Sequence, residues 1–437
     1  MQRRSDARGT PMRLVMLALF SVLFSGMPLC ARDGCIPPRS PGDLDRNGAV
    51  NSKDLGNLEK YLAGSLMPNQ FSAPANADVN DDGRVDAADC LGLLRRMHPP
   101  AGRWYESNPT YTDPRDDTAD WHFSTPEAEG LDPLLLEAGG NSIAGNSCIF
   151  SLLVVRHGKL VYERYYQGMD KSRANNIHSA SKSLLQALIG LAVEKGCLDG
   201  WDTPVSAVLP GLFVDAPQGK RDITVRHLMQ MSSGLLWTED STEYALEKTP
   251  DWVQAIVALP QLYAPGNSFN YSTGNTHLAS AVLQQATGLP THAFAAENLL
   301  DALNITVEHW GCPDPQGVDS GGCNVYMTPR EMAKFGLLYL RGGLWEGRRL
   351  LPASAVAQAA EGIWPVDAEF TYDTGWWSRT ISGHPMYFAW GYGGQFIYVM
   401  PDLDLVLVTT ENTAGTPDEI DAGILIRDYV IPAVTAP

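Results

Sequence analysis

Twice within its first hundred residues the chain places oxygen-bearing side chains at positions 1, 3, 5, 9 and 12 of a twelve-residue frame, with glycine at position 6. The first copy, D-L-D-R-N-G-A-V-N-S-K-D, offers Asp43, Asp45, Asn47, Asn51 and Asp54; the second, D-V-N-D-D-G-R-V-D-A-A-D, offers Asp78, Asn80, Asp82, Asp86 and Asp89. Gly48 and Gly83 permit the sharp turn that wraps such a loop around a cation. A donor set of carboxylates and amides, lacking thiolate and imidazole, is the chemistry of Ca2+. Each loop leads into a short apolar-periodic segment, Leu55, Leu58, Tyr61 and Leu62, then Leu91, Leu93, Leu94 and Met97. A single copy is open to the reading of an ordinary Asp turn, but a repeated frame with a repeated helix predicts a small all-α module with two structural calcium sites.

This EF-hand-like arrangement, over residues 36–98, resembles a dockerin, the calcium-binding half of the dockerin–cohesin pair. The resemblance implies a cohesin-type protein partner. Positions 10 and 11, which contact the partner in that family, are Ser52 and Lys53 in the first loop and Ala87 and Ala88 in the second, an asymmetry that leaves the class of partner open.

Ahead of the module, Arg3, Arg4, Arg8 and Arg13 precede the apolar run Leu14 to Phe24. The run is shorter than a bilayer-spanning helix and reads as a signal peptide, residues 1–31, giving a secreted or periplasmic protein with no transmembrane segment after its removal. Six cysteines remain in an oxidising compartment, with Cys312–Cys323 the first candidate disulfide and Cys35–Cys90 the second. A formal charge of -18 argues against nucleic acid as partner.

Residues 99–125, rich in Pro, Asp and Thr without helical or strand period, read as a linker, and residues 126–437 as the main domain. In that domain two β-rich runs between Phe150 and Tyr165 flank His157-Gly158, a hairpin signal. A helical period runs from Ser181 through Leu184, Leu185, Leu188 and Leu191, a second hairpin surrounds Pro401-Asp402, and an amphipathic segment, Ile424 to Ile431, closes the domain. Strands at both ends with helices between them predict an α+β fold with one antiparallel sheet flanked by helices.

The chemistry centres on N-I-H-S-A-S-K-S-L-L-Q-A-L-I-G, residues 176–190. Ser179 and Lys182 stand three apart where a helix begins, and so share a face. Burial disfavours an ammonium, so Lys182 is expected to lose its proton and take that of Ser179. Of nine lysines only this one has serine three residues before it. Tyr271, in F-N-Y-S-T-G-N, provides a phenol as a second proton relay, and A-W-G-Y-G-G-Q, residues 389–395, provides a glycine-flanked strand end whose Tyr392 N–H can face an oxyanion.

The chain order S-x-x-K, Y-S-T, W-G-Y-G-G resembles the superfamily of serine β-lactamases, penicillin-binding D-Ala-D-Ala peptidases and related esterases, closest to the class C-like branch that includes 6-aminohexanoate-dimer hydrolase. Supporting segments are V-V-R-H-G-K-L-V-Y-E-R-Y-Y, T-V-R-H-L-M-Q-M-S-S-G-L and T-P-R-E-M-A-K-F-G-L-L-Y-L. The resemblance implies a β-lactamase/penicillin-binding-protein-like sheet with an added helical domain. It assigns Ser179 as the acylated nucleophile, Lys182 as base, Tyr271 as acid or base toward the leaving group and Tyr392 N–H as oxyanion donor, with no catalytic cofactor. Thr273 stands where the family carries Asn, and Ala389-Trp390-Gly391 replaces the K-T-G that holds a substrate carboxylate. These departures favour an ester or small amide over β-lactam or D-Ala-D-Ala peptide hydrolysis; a catalytically idle ligand-binding protein on the same fold is the alternative from another class. His178, His157, His227 and His277 receive structural readings; the stretch from Trp237 to Asp240 can line a pocket, as can Trp376, Trp377 and Tyr387, although aromatic clusters of this kind are more often core.

The calcium reading predicts that a chelator, added to the full chain, opens residues 36–98 to proteolysis while leaving the larger domain resistant, and that restored Ca2+ reverses this. A digestion pattern indifferent to chelator refutes it.

Overall fold

The computed structural model describes residues 121–239, 241–307, 309–311, 313–412 and 421–435, together with the backbone of 111–112. Both acidic loops, the apolar run Leu14 to Phe24, Cys35, Cys90 and Cys312 lie outside the described residues. Cys323 is buried, with its Sγ 3.1 Å from Ser320 Oγ.

Eight antiparallel strands form the main sheet: β1 (Ile149–Arg156), β2 (Lys159–Tyr165), β3 (Trp364–Pro365), β4 (Thr371–Tyr372), β5 (Trp377–Ile381), β6 (His384–Gly391), β7 (Gln395–Met400) and β8 (Leu405–Glu411). Their spatial order is β2-β1-β8-β7-β6-β5-β4-β3, so the first hairpin and the last pair through β1 and β8, with Val154 opposite Leu407. The two expected hairpins are present, turning at His157-Gly158, both at positive φ, and through Pro401–Leu403.

Alternation along the strands explains why this sheet is covered on both faces. Leu153, Val155, Val406, Val408, Ile397 and Ala389 face one apolar cluster, and Leu152, Val154, Leu405, Leu407, Phe396 and Phe388 face another. The second is closed by helix α1 (Pro133–Ile143) and the C-terminal helical segment Ala422–Leu425, Ile426–Val430 and Ile431–Ala433. The first is closed by α2 (Ser181–Glu194), α3 (Thr273–Thr287) and α4 (Pro329–Leu340). Helix starts carry strong local signals: Asp132 caps α1, Ser272 caps α3, and Thr328 forms a capping box with Glu331 before Pro329 in α4. Short helices between residues 205 and 258 add the helical part of the fold.

Part of the stretch read as linker belongs to this unit. Tyr111–Thr112 pairs with the strand Arg173–Asn176, which also pairs with Tyr326–Met327, and Phe123 bridges to Leu160. Trp121 is buried in the first cluster. An aromatic-rich segment lacks a period when only isolated residues make the contact, and Trp121 is such a residue, a tryptophan that from sequence alone could pin this stretch to the next domain. Among the described residues no helix is long and apolar enough to cross a membrane.

Leu407, fully buried in the central strand β8, tests the two-faced packing. Leu407→Ala is expected to cost about 2–5 kcal/mol in a denaturant titration; a loss under 1 kcal/mol would contradict a tightly packed sheet.

Candidate active site

A single 3-10 turn, His178–Ala180, joins the strand Arg173–Asn176 to α2 and puts Ser179 at the sheet surface. The turn is held from below: Asn176 Oδ1 accepts from His178 N at 2.8 Å, and Ile177 N donates to Val325 O at 2.8 Å. His178 adopts a positive φ of 47°, costly for a residue with a Cβ, and Ser179 is half-buried between buried neighbours. The serine is thus the part of the turn that faces outward.

Lys182 lies one helical turn on and is 1% exposed. Its ammonium donates to Ser179 Oγ at 2.9 Å, Thr273 Oγ1 at 3.0 Å and Gly322 O at 3.0 Å, which uses all three donors. The ring of Tyr271 lies 5.0 Å from the nitrogen, and its phenol interacts with the Ser179 side chain beside it. Structure therefore brings Ser179, Lys182 and Tyr271 into one hydrogen-bonded group.

The expected loss of the lysine proton is corrected by the surroundings. Burial is the largest influence on Lys182 and pulls its pKa down, but Tyr271, Glu239, Cys323 and Glu243 together carry it above the ordinary lysine value. Burial also raises the pKa of Tyr271, so the phenol is neutral at pH 7. At rest the pair is ammonium and phenol.

Tyr271 is held by the segment before it and by aromatic neighbours. Asn270 N donates to Met231 O at 2.7 Å, Asn270 Nδ2 donates to Trp237 O at 3.1 Å, and the Tyr271 ring packs 5.8 Å from both Tyr372 and Trp377. Trp237 lies against Gly274 in the first turn of α3, where any Cβ would collide with the indole. Trp376 and Tyr387 belong to the core around Tyr339 rather than to this group.

Tyr392 sits in the turn between β6 and β7, its ring edge-on to His178 at 5.8 Å. Gly391 lets the end of β6 press against the carbonyl of Ile177, a contact no Cβ permits. Gln395 fixes the turn by donating to Gly393 O at 3.1 Å and Glu411 O at 2.8 Å. The backbone after Gly391 thus lies beside the serine turn. His178 packs against that turn as a neutral ring, its pKa brought down to about 3 by burial and by Lys182. His277 is buried against Asp314 at 3.0 Å, and His227 closes a capping box with Thr224.

Four residues act here in ways that the sequence did not spell out, Glu239 among them within the stretch 237–240 read as bordering a pocket. Thr273, seen only as a missing Asn, supplies the hydroxyl that holds Lys182. Glu239 accepts from Thr273 N at 2.6 Å and, with buried Glu243, sets the charge around the lysine. Gly322 brings a backbone carbonyl to Lys182; Gly321-Gly322 was its only trace in the sequence.

A sheet between helical layers, with Ser, Lys and Tyr meeting where a helix starts, defines the class, and the chain belongs to the beta-lactamase family, whose model matches residues 150–431. Residues 41–98 match the dockerin type I domain, a calcium-binding and cohesin-binding class of module. Among curated proteins the chain is 25% identical over 298 residues to 6-aminohexanoate-dimer hydrolase of Paenarthrobacter ureafaciens, covering 60% of this chain and 72% of that protein. Two solved structures share the fold. EstCE1, a hydrolase with promiscuous acyltransferase activity, has a TM-score of 0.56 at 17% identity, covering 69% of this chain and 99% of that one. A D-stereospecific amidohydrolase from Streptomyces sp. has a TM-score of 0.55 at 18% identity, covering 68% and 98%.

The charge balance gives a signed prediction. The rate of Ser179 modification by a fluorophosphonate is expected to rise with pH as the Lys182–Tyr271 pair gives up its proton. Because Glu239 raises the lysine, Glu239→Gln moves this limb to lower pH. A limb that stays in place removes Glu239 from the account.

Proposed function

We propose that the protein is a serine hydrolase of esters or small amides, acting through an acyl-enzyme on Ser179. The observation that carries the reading is the 2.9 Å contact of Lys182 Nζ with Ser179 Oγ, shared with the Tyr271 hydroxyl.

The reactive form is the one in which the Lys182–Tyr271 pair has lost one proton. Ser179 Oγ then forms a bond to the acyl carbon while its proton passes to the pair. Charge developing on the carbonyl oxygen is met by the N–H groups of Ser179 and Tyr392. Tyr271 passes the proton to the leaving oxygen or nitrogen as the scissile bond breaks. Water repeats the sequence on the acyl-enzyme, giving its proton to the pair and releasing the acid and the free serine.

The choice of esters and small amides rests on Ala389. Its methyl is buried in the core where related chains hold a cation for a substrate carboxylate, so β-lactams and D-Ala-D-Ala peptides lack that anchor here. In the N-terminal module, Asp43, Asp45, Asn47, Asn51 and Asp54 would hold one Ca2+, and Asp78, Asn80, Asp82, Asp86 and Asp89 a second. The ion would supply the order of the loops, and the dockerin match supports a cohesin-bearing partner and a secreted protein.

The deciding experiment is hydrolysis of p-nitrophenyl acetate by the protein and by Ser179→Ala. We expect kcat/KM to fall by about 10³-fold or more in the variant, with an acyl adduct on Ser179 of the unaltered protein seen by mass spectrometry of samples quenched during turnover. Equal rates for the protein and Ser179→Ala, or no turnover in either, would favour the idle ligand-binding reading.

A further inference from the structure

Lys182 receives its third acceptor from a segment far away in sequence, 140 residues on, and that segment is fastened to α3 by buried polar contacts. His277 Nε2 and Asp314 Oδ2 are 3.0 Å apart, at 1% and 0% side-chain exposure. The other carboxylate oxygen accepts from Gln316 N and Val318 N, both at 2.8 Å, so one buried aspartate both shapes the turn 314–318 and ties it to the helix. One turn further along α3, Ser280 Oγ donates to Asp319 O at 2.7 Å. The Asp319 carboxylate accepts from His292 N at 2.9 Å and meets His292 Nδ1 at 2.8 Å.

Beyond these clasps the backbone runs against Thr276. A Cβ on Gly321 would strike the Thr276 carbonyl, and one on Gly322 would lie 2.5 Å from Thr276 Oγ1 and 3.0 Å from Lys182 Nζ. Only glycine allows the Gly322 carbonyl to approach the ammonium this closely. Thr273, which offers Lys182 its hydroxyl, lies one helical turn before His277 on the same face of α3. Helix and segment thus deliver their acceptors from a common base.

We infer that residues 313–323 form a positioning strap, in which the buried His277–Asp314 pair holds the Gly322 carbonyl against Lys182 so that the ammonium stays aimed at Ser179. His277 and Asp314 are positioning residues: neither touches the reacting atoms. A buried ion pair or charged hydrogen bond is weak as a source of stability but good at fixing one geometry, because breaking it strands a charge. The titratable groups facing Lys182 are Tyr271, Glu239, Cys323 and Glu243, and those facing the clasp are His277 and Asp314 themselves, with Trp252 packed beside the imidazole.

The inference rests on the proposed hydrolase reading for its use, but its test does not need turnover. The readout is the 1H–15N signal of the Lys182 side-chain ammonium, assigned with Lys182→Arg, whose protons are protected from exchange with water while three acceptors hold them. In Asp314→Ala, exchange of these protons is expected to quicken by at least about tenfold while α3 and the sheet keep their amide protection. Asp314→Asn, which keeps an oxygen for Gln316 N and Val318 N, should restore much of the protection. With p-nitrophenyl acetate the same variant should lose kcat about 10- to 100-fold with KM within about twofold. Should Asp314→Ala fail to fold, Gly322→Ala tests the other end of the strap by the same two readouts. Wild-type exchange at Lys182 in a folded variant overturns the strap, whatever the turnover; absence of turnover in the unaltered protein overturns only the hydrolase reading.

Discussion

The arrangement of the larger domain turns on one buried ammonium. An unpaired cation at 1% exposure would cost several kcal/mol, and Lys182 avoids this by giving each of its three protons to a different part of the chain: the turn before α2, the first residue of α3, and the strap at Gly322. Its position is therefore fixed only when all three parts are packed together. The same requirement explains the glycines at 274, 322 and 391, each of which removes a Cβ from the path of Trp237, Lys182 or the Ile177 carbonyl. Local crowding at these points is the consequence of bringing three backbones to one nitrogen.

Retaining the proton at rest changes what the lysine does. With Glu239 and Glu243 nearby, Lys182 stands as a hydrogen-bond donor to Ser179 Oγ. A donated hydrogen bond orients the serine oxygen. Glu239 bears on that contact twice, because it also holds Thr273 N, the residue whose hydroxyl supports the lysine.

How much of this was legible in sequence follows from the range of each interaction. The hairpins at His157-Gly158 and Pro401-Asp402 and the helix from Ser181 are written in neighbouring residues, and β-rich runs at both ends of the domain with helices between them implied one antiparallel sheet flanked by helices. Ser179, Lys182 and Tyr271 were legible because a three-residue spacing and a helix-start tyrosine carry chemistry by themselves. Lys182's charge state was not, since burial alone argues for a neutral amine and the opposing carboxylates stand 57 and 61 positions away in the chain. Nor was Gly322, whose role is a backbone carbonyl that any residue possesses. Extra edge strands β3 and β4, two residues each, are too short to show a period at all.

Thr273 shows what a departure from a family pattern can still supply. An Asn and a Thr differ in size and donors, yet the demand at this place is one oxygen within reach of Lys182, and the threonine hydroxyl meets it at 3.0 Å. Ala389 is the opposite case: its side chain is an uncharged methyl buried in the core. The two substitutions therefore act on different properties. Thr273 keeps an oxygen on the Lys182 ammonium, whereas Ala389 places an uncharged methyl in the core, so the first change preserves a polar contact and the second leaves out a charge.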